Sequence, residues 1–198
     1  LAREAPFPAA IADCRCAVRW LRAHAKEHNV DPERIGVWGN SAGGHLALML
    51  ALTNEKSGIP DEGPWQEQSS RVHAAASDSG PLDLEFQYRD GVLRGAVELF
   101  LAGPPDEKRI ANYRQASPTT YVANASVPLL MIYGVADVQV PVATADRFVE
   151  ALNKAGLKDL SYHRLAAVDH CPHSMQRVKW LEPVVNEFFI RTLKRDRR

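Results

Sequence analysis

The run Val127-Pro128-Leu129-Leu130-Met131-Ile132-Tyr133 has no charge and no polar alternation. A strand with one face in water alternates apolar and polar residues, whereas a strand apolar on both faces has to be covered on both. The run therefore predicts a buried strand of a parallel sheet. Three weaker runs share its character: "IGVW" at 35–38, "VHAAAS" at 72–77 and "LSYHRL" at 160–165. The second is the least secure as a strand, because alanine favours helix.

Helical periodicity lies between these runs. Ile11, Cys14, Val18, Leu21 and Ala25 recur at three- and four-residue steps, with Arg15, Arg19, Arg22 and Lys26 off that stripe. This predicts an amphipathic helix over 8–28. Further helices are expected from near Ser41, around Val92–Leu101 and Asp106–Arg114, over 142–155 with Gly156 as its cap, and over 174–194. Strands alternating with helices predict an α/β fold, a mostly parallel sheet with helices on both faces. Ligands bind such sheets at the carboxyl ends of the strands. Here those ends follow Trp38, Ser77, Tyr133 and Leu165.

Composition narrows the function. The chain has 198 residues, which suits a single domain spanning 1–198, and 45% of them are hydrophobic. Lys+Arg and Asp+Glu balance at 24 each, so the basic excess of a nucleic-acid binder is missing. No apolar run is long enough for a membrane span, so no membrane association is expected. Three cysteines do not make a disulfide framework. Cys171 pairing with Cys14 or Cys16 is weighed against ordinary thiols, and ordinary thiols are preferred. The first residues contain neither an initiator Met nor a signal-peptide pattern, and localisation stays unknown.

The strand at 35–38 runs into Gly39-Asn40-Ser41-Ala42-Gly43, a G-x-S-x-G pattern between a predicted strand and a predicted helix. A sharp turn there lifts the serine hydroxyl above the sheet. Small residues two positions either side avoid clashes, and the helix start leaves the Ala42 N–H free to stabilise an oxyanion. The competing reading makes Ser41 a helix N-cap, which needs no flanking glycines. A nucleophilic serine needs a base, and the base an acid. Asp137 follows the strand ending at Tyr133 and is the expected acid, with Asp83 and Asp78 as rivals. After the strand ending at Leu165, "AAVDHCPHSM" offers His170 and His173. His170 is preferred as base because it sits in the strand-end loop. His45 on the helix behind the serine is read as structural. The expected set is Ser41, His170 and Asp137, with Ala42 in the oxyanion hole, no metal and no cofactor. The order Ser…Asp…His is that of hydrolases built on such sheets.

The stretch "DPERIGVWGNSAGGHLALMLA" resembles α/β-hydrolase esterases related to hormone-sensitive lipase and to the acetyl/feruloyl esterases of plant polysaccharides. "APFPAAIADCRCAVRWLRAHA" is similar to the helix before their serine turn. "ASPTTYV" and "VPLLMIYGVADVQVPVATADRFVEALNKAG" are similar to their acid-bearing segment. "DHCPHSM" is similar to G-H-x-P-H, in which the first His is catalytic, with Asp169 in place of the glycine. The resemblance implies an α/β-hydrolase fold and a serine esterase acting on short-chain carboxylic esters, acetyl or feruloyl esters of carbohydrates among them. The alternatives are a serine peptidase of the same fold and a non-catalytic hydrolase-like binding protein. The family also carries an H-G-G oxyanion loop and further strands upstream of the first helix, and this sequence contains neither. The chain is therefore expected to be a partial catalytic domain without the N-terminal strands, either a fragment of a longer protein or a truncated form. Its sheet edges would be covered by a homodimer or a second chain, and its partner in solution would be a small-molecule ester.

Overall fold

A computed structural model describes residues 2–173 and 178–194. Among them, four strands, β1 (Gly36–Asn40), β2 (Ala74–Asp78), β3 (Leu129–Gly134) and β4 (Leu160–Leu165), form one sheet in the order β1-β2-β3-β4. All three pairings are parallel, so every strand ends on the same side. Helices α1 (Ala9–Ala23) and α2 (Ala42–Leu52) flank β1 in sequence. Then α3 (Leu84–Asp90), α4 (Arg94–Phe100) and α5 (Ile110–Gln115) fill the connection from β2 to β3. Helix α6 (Val142–Lys154) joins β3 to β4, and α7 (Leu181–Leu193) closes the chain.

The apolar run that predicted β3 divides as a two-face strand should. Leu129, Met131 and Tyr133 enter the larger core with Ala75, Leu48 and Met49 of α2, and Phe148 and Leu152 of α6. Leu130 and Ile132 face the other way, with Ala74 and Ala76, against Leu181, Val185 and Phe188 of α7. Each Leu, Ile, Met or Phe side chain among these contributes about 1.5–3 kcal/mol when fully removed from water. The weakly strand-like alanines of β2 are fully buried because helices cover both faces, α2 over Ala75 and α7 over Ala74 and Ala76. A Cβ added at Gly44 would stand 2.7 Å from Ser77 Oγ.

Three expectations need correction. The helix expected from 174 begins at Leu181 among the described residues, and 174–177 lie outside them. Pro183 gives the reason. Deep inside a helix it would remove a backbone bond and clash with the preceding turn, whereas the first turn tolerates it. Helix α3 was not foreseen. Its signal is Asp83, whose side chain accepts the Phe86 N–H at 3.0 Å as an N-cap. Arg15 and Arg19, off the apolar stripe of α1, are nevertheless buried at 1% exposure each. Arg19 donates to Asp61 Oδ1 at 2.5 Å and to the carbonyls of Glu62 and Pro64, while Arg15 reaches the Ile59 carbonyl and Thr53 Oγ1. The two guanidiniums thus fasten the loop after α2 onto α1. No disulfide links the three cysteines.

Candidate active site

Ser41 connects β1 to α2 with φ 49° and ψ −120°. A non-glycine residue at positive φ is uncommon and is maintained only where its surroundings enforce it. Two contacts do so. The Ser41 N–H donates to the Asp78 carbonyl at 2.8 Å, and its carbonyl accepts the His45 N–H at 3.0 Å. Gly39 supplies the room, since a Cβ there would lie 2.3 Å from the Gly43 backbone. The crowding is one-sided: a Cβ at Gly43 would meet nothing within 4 Å. Only the first of the two flanking glycines is required by space, which corrects the symmetric expectation. Ser41 makes no side-chain cap to α2, contrary to the N-cap reading. Ala42 opens α2, where helical geometry offers its N–H no acceptor within the helix.

The three residues singled out as nucleophile, base and acid come together from three strand ends. His170 Nε2 lies 2.9 Å from Ser41 Oγ, and His170 Nδ1 lies 2.8 Å from Asp137 Oδ2. The other carboxylate oxygen of Asp137 accepts the N–H groups of Gln139 and Val140 at 2.8 and 2.9 Å. Both oxygens are thereby fixed, and the Asp137 side chain is wholly buried. The loops bearing acid and base are joined as well: Ala136 donates to the Val168 carbonyl, and Val135 to that of Leu165. Gly134 permits this approach, because a Cβ there would lie 2.2 Å from the Val168 carbonyl oxygen.

Burial by itself pushes the His170 imidazole down. The hydrogen bond and charge of Asp137, with Cys171 adjacent, outweigh it and hold His170 above the ordinary histidine range. His45 behaves in the opposite way. Fully enclosed, it is pushed down to about 4, its bond to the Ala116 carbonyl offsetting only part of the burial. At 2.7 Å from that carbonyl, Nε2 of a neutral His45 is the donor.

The rival residues have other partners. Asp83 caps α3. Asp78 lies at the end of β2 and accepts from Ser79 Oγ and from the His173 N–H. The ring of His173 meets Trp38 edge-on at 4.4 Å between centroids, instead of Ser41. A cavity of about 290 Å³ opens beside Ser41 and Ala42, walled by Ala10, Leu46, Leu84, Leu93, Val97 and Phe100. The short helices between β2 and β3 supply most of that wall. Sequence reasoning did not find it, since its lining comes from four separate elements.

A serine at positive φ between strand and helix, with a histidine and a carboxylate from the ends of two later parallel strands, is the arrangement of an α/β-hydrolase. The BD-FAE family model matches residues 1–152, and the chain belongs to that family. Among curated proteins it is 30% identical to the probable carboxylic ester hydrolase LipM of Mycobacterium tuberculosis, over 83% of this chain and 38% of LipM. It therefore spans about two fifths of the length of that relative. Among solved structures, a bifunctional GH43-CE protein of Bacteroides eggerthii superposes with a TM-score of 0.81 at 27% identity, covering 96% of this chain and 26% of that one. The thermophilic esterase Est2 of Thermogutta terrifontis, solved with butyrate bound, gives 0.75 at 26% identity, covering 95% of this chain and 67% of that one.

Proposed function

We propose that this chain carries the catalytic centre of a serine carboxylic-ester hydrolase. The observation that carries this is the continuous contact from Ser41 Oγ through His170 to Asp137, at 2.9 and 2.8 Å, on a serine held at positive φ. Ser41 Oγ attacks the ester carbonyl while its proton passes to His170 Nε2. The Ala42 N–H faces the developing oxyanion. Asp137 fixes the imidazole tautomer with Nδ1–H toward itself and stabilises the imidazolium. His170 then returns the proton to the departing alkoxide, leaving an acyl group on Ser41. Water, deprotonated by His170, attacks the acyl carbon, and the acid and Ser41 are released.

The apolar cavity beside Ser41 suits the acyl chain, and its size suits a short one. Butyrate bound to Est2 supports a short acyl chain, and the resemblance of the serine turn to acetyl/feruloyl esterases brings acetyl groups on sugars into the same reading. No nucleic acid or membrane takes part in this reading; its partner is a small ester.

Ser41→Ala is expected to reduce turnover of p-nitrophenyl acetate by about 10⁶-fold, with the protein still folded by circular dichroism. A folded variant that keeps its activity would overturn the proposal.

A further inference from the structure

The end of β2 touches both halves of the candidate site without belonging to either. The Asp78 carbonyl accepts the Ser41 N–H at 2.8 Å, which holds the nucleophile turn. The Asp78 carboxylate points toward the loop that bears His170. Its Oδ2 accepts the His173 N–H at 3.1 Å, and its Oδ1 accepts the Ser79 hydroxyl at 3.2 Å. Ser79 Oγ in turn accepts the Cys171 N–H at 3.1 Å. The backbone groups one and three residues beyond His170 are therefore both held from β2. Asp78 and Ser79 are wholly buried, where an acceptor lost to a buried N–H is expensive.

Backbone geometry points the same way. Ser79 stands at φ 55° and Cys171 at φ 52°, and the two are joined by that Cys171–Ser79 bond. Strain of this kind persists only where surrounding contacts impose it. Gly80 packs the segment onto the start of α2, since a Cβ there would lie 2.6 Å from the Gly44 and His45 backbone. One short segment thus fixes the start of the nucleophile helix and the base loop relative to each other.

We propose that Asp78, acting with Ser79, is a positioning residue that sets the His170 imidazole between Ser41 and Asp137. This rests on the Ser41–His170–Asp137 reading above. Asp78 does not touch the reacting atoms. It fixes the loop just C-terminal to His170, at Cys171 through Ser79 and at His173 directly. Its carboxylate draws the Ser79 proton toward itself, which makes Ser79 Oγ a better acceptor for Cys171. An asparagine supplies one acceptor oxygen instead of two and keeps only part of the network.

The test compares Asp78→Ala, Asp78→Asn and Ser79→Ala with Asp83→Ala, which removes the cap of α3 and leaves the Asp78 and Ser79 bonds to the His170 loop in place. Measured on p-nitrophenyl acetate, Asp78→Ala is expected to lower kcat by about 10²-fold, the usual cost of a misplacement near 1 Å, with KM changed far less. The groups facing the imidazole are the Asp137 carboxylate, the Cys171 thiol and the Ser41 hydroxyl. As His170 slips from Asp137, the acid limb of the kcat/KM profile moves to lower pH, and the low-field Nδ1–H proton resonance of His170 weakens. Asp78→Asn recovers part of both, while Asp83→Ala moves neither. Should Asp78→Ala not fold, Ser79→Ala, which removes the bonds from the Cys171 N–H and to Asp78 Oδ1 but keeps the Asp78 bond to the His173 N–H, carries the same two readouts. An acid limb and proton resonance unmoved in the folded variants would overturn the inference. Full activity in Ser41→Ala would instead overturn the catalytic reading beneath it.

Discussion

Ser41 occupies a conformation that costs about 1–3 kcal/mol in isolation, and its neighbours maintain it through Gly39 and the Asp78 carbonyl. Its partners obey the same logic of fixed geometry. Asp137 has one oxygen on His170 and the other on two backbone N–H groups, so it cannot turn away. Replacing it with asparagine keeps the size but presents an amide to Nδ1, which favours the wrong tautomer. Asp137→Asn is expected to lower kcat by about 10⁴-fold. With the charge that raises His170 removed, the acid limb of the residual activity moves to lower pH. A pH profile of the purified variant checks this; a limb in the wild-type position would show that Asp137 does not govern His170. These three residues were legible because each follows a recognisable strand in hydrolase order. The contact of Asp78 with His173 was not, because it joins residues more than ninety positions apart, which no local pattern records.

The elements that read most clearly were those whose own residues decide them. β3 is apolar on both faces because helices cover both, and α6 shows its inward Phe148 and Leu152 at helical spacing. Elements decided by distant contacts read poorly. Helix α3 is seven residues long and depends on its Asp83 cap and on packing over the site. The buried side of α1 includes two arginines because Asp61, more than forty positions later, folds back over them. That pairing yields a stability prediction. Asp61→Ala leaves two enclosed guanidiniums with carbonyls and a hydroxyl, and with the charge of Glu55 alone acting on Arg15. Breaking such a buried pair costs about 3–5 kcal/mol. The Asp61 side chain is 17% exposed, which places the loss near 3 kcal/mol, the low end of that range. Urea denaturation is expected to show a midpoint lowered accordingly with an unchanged slope. A midpoint equal to wild type would mean that the Arg15–Arg19 clamp holds without Asp61.

At the scale of the whole molecule, two buried histidines give activity and stability different dependences on pH. His45 is pushed down to about 4, so between pH 6.5 and 4 the unfolded chain takes up a proton that the folded chain refuses. Stability is lost across that window as pH falls, on the order of 3 kcal/mol in total. His170 is raised by Asp137. Its contribution is fully present below the unfolded value near 6.5 and is lost as pH rises through the folded value. Between these two effects, stability from the histidines is greatest near pH 6.5 and declines on either side. The candidate reaction needs His170 neutral, so activity increases over the alkaline range in which its stabilising proton departs. The optimum of kcat/KM is therefore expected to lie alkaline of the Tm maximum. His45→Gln, which has no proton to gain, is expected to flatten the acid side of the Tm profile and leave the acid limb of activity in place. Thermal melts from pH 4 to 9 alongside kcat/KM over the same range measure both curves. Coincident maxima would show that His170 is not held in its protonated form by the fold, and an acid decline in Tm that survives His45→Gln would place that proton on another group.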